Sequence, residues 1–123
     1  MGYNSSFEYQ IANEEIEFMD LDKINSEIKV LESGMSTAEI VKYYDGYDIK
    51  MEEYYGKFYD DREFANILSK YLLKGSIELN YAGEDGVRWG YTVYPQKVVE
   101  LEFIPVPVDL AKQVADYIKS ITN

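Results

Sequence analysis

Apolar and polar residues alternate at the start of this chain, which is the pattern of a β-strand with one buried face. Phe7, Tyr9 and Ile11 are the apolar members of the pattern. Because successive side chains of a strand point to opposite faces, the polar residues between them would face away from the core. We therefore predict a first strand over residues 3–12.

A longer alternating region, residues 76–107, predicts an antiparallel meander of three strands. The residues expected to face inward along it are Ile77, Leu79, Tyr81, Val87, Trp89, Tyr91, Val93, Val99, Leu101 and Phe103. Asp85-Gly86 is a dipeptide favoured in hairpin turns, and residues 94–97 are typical of a second tight turn. Two prolines, Pro105 and Pro107, lack the amide hydrogen that a sheet needs and are expected to end the third strand.

Spacings of three and four residues between apolar positions predict two amphipathic helices. In the first helix, Leu21, Ile24, Ile28 and Leu31 follow Asp20. Asp20 is a favoured N-cap residue, and Gly34 is expected to stop this helix. The second helix is expected to be capped by Asp60 or Asp61 and closed by Gly75, with a buried stripe formed by Phe64, Ile67, Leu68, Tyr71 and Leu72.

Three further segments give weaker patterns. Ser36 or Thr37 is expected to cap a short helix that carries Ile40, Val41 and Tyr44. Apolar and polar residues alternate as in a strand at the start of residues 47–59, but the later apolar residues follow no single periodicity. We predict an edge strand there. A closing helix is expected over Val108–Ile121, after the two prolines.

The order of these elements predicts one α+β domain that covers residues 1–123. Its antiparallel sheet is expected to contain four to five strands, formed by the N-terminal strand and the C-terminal meander. Three to four helices are expected to pack against this sheet. A chain of 123 residues is long enough to bury a core of this kind without a disulfide or a structural metal.

Composition removes several kinds of chemistry, because the chain contains no Cys and no His. Thiol nucleophiles, Cys or His zinc sites and imidazole acid–base catalysis are therefore excluded. We expect a protein that has no cofactor, no metal site and no catalytic residues. No apolar run approaches the roughly 20 residues of a membrane span, and the first residues lack the features of a signal peptide. These patterns predict a cytoplasmic protein that does not contact a membrane.

The negative charge lies mainly in the first half of the chain. The whole chain has 23 acidic and 12 basic residues and a formal net charge of −11. Residues 1–63 hold 16 acidic and 6 basic residues, and tyrosines are interleaved with the acidic ones. Self-repulsion of such a cluster opposes folding, which favours the interpretation that its field acts on a basic partner. The candidate partner-binding residues are Glu14, Glu15, Glu17, Asp48, Glu52, Glu53, Tyr54, Tyr55, Asp60 and Asp61.

Two separate segments give a resemblance to a known group of proteins. The first is Met1-Gly2-Tyr3, and the second runs from Gly75 through Gly83-Glu84-Asp85-Gly86 and Trp89 to Glu100. Together they resemble small uncharacterised bacterial and phage proteins that begin Met-Gly-Tyr before a strand and contain a C-terminal Gly-Glu-Asp hairpin. The resemblance implies a hairpin scaffold and a phage or mobile-element setting, and it implies no catalytic residues.

Charge and resemblance together lead to a functional hypothesis. The chain is expected to be a non-enzymatic inhibitor of a host defence nuclease, of the anti-CRISPR or anti-restriction type. Spaced carboxylates would occupy a basic nucleic-acid-binding surface by partial DNA mimicry, without direct binding of nucleic acid by this chain. One alternative is an immunity protein or antitoxin that neutralises a basic nuclease toxin. Another is a small-ligand-binding or carboxylate-based enzyme module.

Overall fold

The computed structural model describes residues 3–11, 16–44 and 46–101, and the fold within them is α+β. The predicted closing helix, Phe103 and the two prolines lie outside the described residues. The helices are α1 Leu21–Lys29 and α2 Asp61–Tyr71, with a short 3-10 helix at Gly34–Thr37. The strands are β1 Ser5–Ile11, β2 Glu17–Phe18, β3 Glu39–Tyr43, β4 Gly46–Lys50, β5 Tyr55–Gly56, β6 Leu72–Lys74, β7 Ile77–Gly83, β8 Arg88–Tyr94 and β9 Lys97–Leu101.

The main sheet has five antiparallel strands in the order β5-β1-β7-β8-β9. The prediction that the N-terminal strand joins the C-terminal meander is therefore confirmed. Two α-helices are found within the described part of the chain, which is fewer than the three to four expected, and the expected closing helix lies outside that part. Two small antiparallel pairs, β2 with β6 and β3 with β4, complete the strand pairing of these residues.

One face of the main sheet forms the core against the two helices. Phe7 on β1 lies opposite Tyr81 on β7, and Tyr81 in turn lies opposite Trp89 on β8. The Tyr81 and Trp89 rings stack with centroids 5.5 Å apart. Phe64 of α2 packs edge-on against Phe7 at 6.3 Å, so the start of α2 lies over the aromatic centre of the sheet.

The prediction of which β9 residues face the core was wrong. The two-residue turn at Pro95-Gln96 places Val93 opposite Val98, and Val98 rather than Val99 packs against the core. Val99 is 37 % exposed. A shift of one residue exchanges the two faces of a strand, so the length of this turn decides which residues are buried. Val87 was also expected to face inward, but it lies in the turn before β8 and is exposed.

Helix α1 begins as predicted and ends earlier than predicted. The Asp20 side chain accepts a hydrogen bond from the backbone N–H of Lys23 at 3.1 Å, which is an N-cap interaction. The helix ends at Lys29, before Gly34. Gly34 serves a different purpose, because its N–H donates to the Lys57 carbonyl at 2.7 Å and a Cβ would lie only 2.9 Å from that oxygen. A side chain at position 34 would therefore prevent this close approach.

The short helix predicted after Ser36 or Thr37 was wrong, because Ile40 and Val41 lie in strand β3. β-Branched residues favour strands, and the following residues 46–50 provide a partner strand. The edge strand predicted over 47–59 is divided into β4 and β5, and β5 is an edge of the main sheet.

Helix α2 contains the predicted buried residues Phe64 and Leu68 and ends at Tyr71. It does not reach the predicted stop at Gly75, because Leu72–Lys74 form β6 and pair with β2. The expected capping bond is not made either, since the Asp60 side chain does not bind the N-terminal amides of α2.

Asn25 of α1 substitutes for a neighbouring strand at the edge of β3. Its amide nitrogen donates to the Ile40 carbonyl at 3.1 Å, and its oxygen accepts from the Ile40 N–H at 2.9 Å. The Ile40 side chain is buried, so these backbone groups have little access to water as alternative partner. This pair of bonds holds the β3–β4 hairpin against α1.

We expect Asn25→Ala to lower the free energy of unfolding by about 1–3 kcal/mol, since it leaves a donor and an acceptor of Ile40 unpaired. Urea denaturation of the wild type and the variant measures this change. The matched control is Asn66→Ala at an exposed position of α2, which we expect to change stability by less than about 0.5 kcal/mol. Equal stability of both variants would show that the Asn25 bonds contribute nothing.

Candidate interaction surface

The acidic residues singled out in the sequence lie in different environments. Glu14 and Glu15 lie outside the described residues. Glu17 is exposed on β2 with Lys74 as its cross-strand partner. Asp48 lies on β4, where its carboxylate accepts a hydrogen bond from the adjacent Ile49 N–H at 3.0 Å. The structure therefore does not bring Glu17 and Asp48 together with Glu52 and Glu53 in one groove.

Asp60 joins the start of α2 to the segment that follows α1. Its carboxylate accepts from the backbone N–H of Glu32 at 2.7 Å, from the N–H of Ser33 at 3.1 Å and from the Ser33 hydroxyl. Hydrogen bonds to an ionised carboxylate are among the stronger ones in proteins. The Asp60 carboxylate is therefore hydrogen-bonded within the molecule, although the residue is only partly buried.

Asp61 joins the same end of α2 to the main sheet. Its Oδ2 atom accepts from the Trp89 indole N–H at 2.5 Å and from the Tyr91 hydroxyl at 3.0 Å. Burial and the negative charge of Asp61 raise the pKa of Tyr91 well above its ordinary value, so this hydroxyl remains a donor even in alkaline solution. Asp61 thus fixes Trp89 and Tyr91, two of the aromatic side chains of β8, relative to α2.

Glu52, Glu53 and Tyr55 do lie together. All three are exposed and line an open groove of about 290 Å³ between the β4–β5 connection and the 3-10 helix, where Gly34 and Thr37 form part of the opposite wall. Tyr54 does not face this groove. It lines a separate depression beside β1, and its hydroxyl donates to the Ile49 carbonyl at 2.8 Å.

A second groove, of about 490 Å³, lies between the end of α1 and the start of α2. Val30, Leu31 and Tyr59 give it an apolar lining, and Glu32, Asp60 and Glu63 add carboxylates. Val30 is 78 % exposed and Tyr59 is 59 % exposed. Both are large apolar side chains that the fold leaves accessible.

The two grooves lie side by side. Ser33 and Tyr59 line the groove between α1 and α2, and their chain neighbours Gly34 and Phe58 line the groove that contains Glu52 and Glu53. The hydrogen bond from Gly34 to Lys57 holds these two segments together. We call the combined area the acidic surface and define it by its exposed residues Glu32, Glu52, Glu53, Tyr55, Tyr59 and Glu63. Lys57 contributes a basic residue to the segment that joins the grooves.

Glu32, Tyr59 and Glu63 are not among the candidate partner-binding residues predicted from the sequence. Tyr59 and Glu63 belong to the acidic, tyrosine-rich region of the first half, so composition gave a signal for them. Glu32 gave no comparable signal, because its place beside Tyr59 depends on the contact of Ser33 with Asp60 across 27 positions of the sequence.

Tyr3 and the β7–β8 turn form a contact at the far end of β1. The Tyr3 hydroxyl donates to Asp85 Oδ1, and the end of the Tyr3 ring lies where a Cβ of Gly83 would be, so a side chain at position 83 would displace this ring. The Tyr3 N–H donates to the Tyr59 hydroxyl oxygen at 2.7 Å. Tyr3 thus connects the hairpin turn to the acidic surface, and the two segments that carried the resemblance touch at this contact.

The carboxylates with shifted pKa values do not have the properties of a general acid. The Tyr3 hydrogen bond lowers the pKa of Asp85, and hydrogen bonds from Tyr71 and Lys70 lower that of Glu27. A general acid needs a raised pKa at neutral pH. Within the described ranges no group of three or more acidic side chains is placed to hold a metal ion.

Comparison of the chain with protein-family models, curated proteins and solved structures gave no significant match. Neither α1 nor α2, the α-helices of the described residues, has the length and apolar character needed to cross a membrane.

We expect Asp61→Ala to destabilise the fold by about 1–3 kcal/mol, because the Trp89 N–H and the Tyr91 hydroxyl lose their acceptor. Trp89 is the single tryptophan of the chain, so its fluorescence during urea unfolding reports this change directly. Glu63→Ala, in the same helix but exposed, is the control and should change stability by less than about 0.5 kcal/mol. A similar small effect of Asp61→Ala would argue against the proposed link between α2 and the sheet.

The Tyr3–Asp85 hydrogen bond is expected to make the free energy of unfolding depend on pH, both in acid and in alkaline solution. The pKa of Asp85 is lowered in the folded protein. The ionised Asp85 carboxylate therefore stabilises the fold above the ordinary carboxyl pKa, and this stabilisation is lost as the pH falls through the lowered pKa. The pKa of Tyr3 is raised to about 12, so its contribution is complete below the ordinary tyrosine pKa of about 10 and is lost as the pH rises through 12.

The stability difference between the wild type and Tyr3→Phe should therefore be constant from about pH 5 to pH 9 and shrink outside that range. Urea unfolding at a series of pH values measures it. Tyr94→Phe, at an exposed tyrosine of β8, provides the control. If the stability difference between the wild type and Tyr3→Phe increased at acidic pH, the Tyr3–Asp85 hydrogen bond would not be its cause.

Proposed function

We propose that this protein is a non-catalytic inhibitor that binds the basic nucleic-acid-binding surface of a host defence nuclease through its acidic surface. The observation that carries the proposal is the pair of adjoining grooves, which bring four exposed glutamates and two exposed tyrosines together. The phage or mobile-element setting comes from the resemblance of Met1-Gly2-Tyr3 and the β7–β8 hairpin.

The physical basis is competition for a cationic surface. Duplex DNA presents about one negative charge per 1.7 Å of axis, and its binding channels are lined with Lys and Arg. Glutamates on the surface of a folded protein supply negative charge to such a channel without the nucleobases that DNA carries. The two tyrosines add contact area at low entropic cost and accept cation–π contacts from Arg.

The form of the surface supports binding of a macromolecule over catalysis on a small molecule. Both grooves are partly open to solvent, whereas small-molecule sites bury most of their ligand.

The test is a DNA-cleavage assay with a panel of CRISPR effector nucleases and restriction endonucleases. We expect inhibition of at least one nuclease, competition by excess duplex DNA and a steep loss of inhibition between 50 and about 300 mM salt. Inhibition that does not change with salt and is not relieved by DNA would contradict mimicry. Inhibition of none of the nucleases would contradict the proposal.

Two variants of equal charge test whether position matters. Glu53→Lys with Glu63→Lys changes the acidic surface, whereas Glu8→Lys with Glu84→Lys changes exposed glutamates outside both grooves. Each pair raises the net charge by the same amount. We expect the first pair to weaken inhibition at least about tenfold and the second less than about threefold. Equal losses would assign the effect to net charge alone.

A further inference from the structure

The groove between α1 and α2 combines accessible apolar side chains with carboxylates. Val30 follows the last residue of α1 and is 78 % exposed, and Leu31 beside it is half-buried against the core. Tyr59 faces the same groove from the segment before α2. Exposed apolar side chains that share a groove mark a docking site more often than scattered ones do.

The Tyr59 ring is held in position before any partner arrives. Its hydroxyl oxygen accepts the Tyr3 N–H at 2.7 Å, and Tyr3 is itself bound to Asp85. The ring nevertheless remains 59 % exposed. A ring fixed at its hydroxyl end loses little conformational entropy when a ligand stacks on it, so this side chain is preorganised for contact.

The charges around the groove define the kind of occupant. Glu32 and Glu63 line it and are exposed. The neighbouring Arg62 is directed elsewhere, since it pairs with Glu100 at 3.0 Å and lies over the Tyr91 ring. Lys29 and Lys57 are the nearest basic residues along the chain, and neither of them lines the groove. Charge complementarity therefore favours a cationic occupant.

We propose that this groove is a docking site selective for arginine over lysine, and that it receives an arginine-rich segment of the partner. This inference rests on the proposed function and specifies how the partner is recognised. A guanidinium group is planar, stacks on aromatic rings and binds carboxylates through two parallel hydrogen bonds, whereas an ammonium group does neither well. Its aliphatic stem also packs against apolar side chains such as Val30.

The experiment uses two defined probes, deca-arginine and deca-lysine. Fluorescence anisotropy gives their affinities, and ¹⁵N–¹H spectra of the labelled full chain locate the binding site. We expect deca-arginine to bind about two- to fivefold more tightly than deca-lysine. The perturbed amides should lie at residues 30–33 and 59–63. Equal affinities, or perturbations spread over all exposed carboxylates, would overturn the inference.

Tyr59→Leu removes the stacking ring and keeps an apolar side chain, so the preference for deca-arginine should disappear. Tyr94→Leu, at an exposed tyrosine outside both grooves, is the matched control and should retain the preference. Because Tyr59→Leu also removes the acceptor of Tyr3, Val30→Ser provides a second test at an exposed position. We expect it to weaken deca-arginine binding about twofold or more. Unchanged binding by both groove variants would refute the docking site.

The outcomes separate this inference from the proposed function. If a nuclease is inhibited but deca-arginine does not bind the groove more tightly than deca-lysine, the inference fails and the proposed function stands. If arginine selectivity depends on Tyr59 but no nuclease is inhibited, the docking site stands and the proposed inhibitor role fails.

Discussion

Two adjacent carboxylates at the start of α2 hold together three parts of this fold. Asp60 binds the segment after α1, and Asp61 binds the indole and phenol groups of β8. Consecutive residues at a helix start point in different directions, so one short sequence reaches two neighbouring elements. The position of α2 over the sheet and the position of α1 beside α2 therefore depend on the same pair of side chains.

This arrangement also divides the acidic residues into two groups. Asp60 and Asp61 exchange hydration for hydrogen bonds to N–H and O–H donors, which makes them part of the packing. Glu52, Glu53 and Glu63 remain in water and contribute to the external field. A total charge of −11 does not distinguish these groups, although the second group is the more exposed of the two.

The sequence predicted those features that depend on local patterns. Alternation and turn residues located β1, β7 and β8, and the Asp20 cap with its apolar spacing located α1. The errors arose where a short apolar run fits more than one structure. Ile40 and Val41 are compatible with a helical turn, and their pairing with β4 decides for a strand. The inner face of β9 depends on the Pro95-Gln96 turn rather than on its own pattern.

The candidate site was predictable only in part, for a related reason. Glu52, Glu53 and Tyr55 are close in sequence, and they remain close in the structure. The roles of Asp60 and Asp61 depend on Ser33 and Trp89, which lie 27 and 28 positions away. No local pattern reveals such partners, so carboxylates used in packing were grouped with those on the surface.

Packing and recognition are linked through the same contacts. Asp60 fixes the backbone of Glu32 and Ser33, and so sets the wall of the groove that Val30 and Leu31 form. Tyr3 fixes Tyr59 on the opposite wall and is itself held by the β7–β8 turn. Both walls are thus supported by bonds that also stabilise the fold. A surface supported in this way keeps its shape without a ligand, so under the proposed function it would lose little entropy on binding a cationic partner.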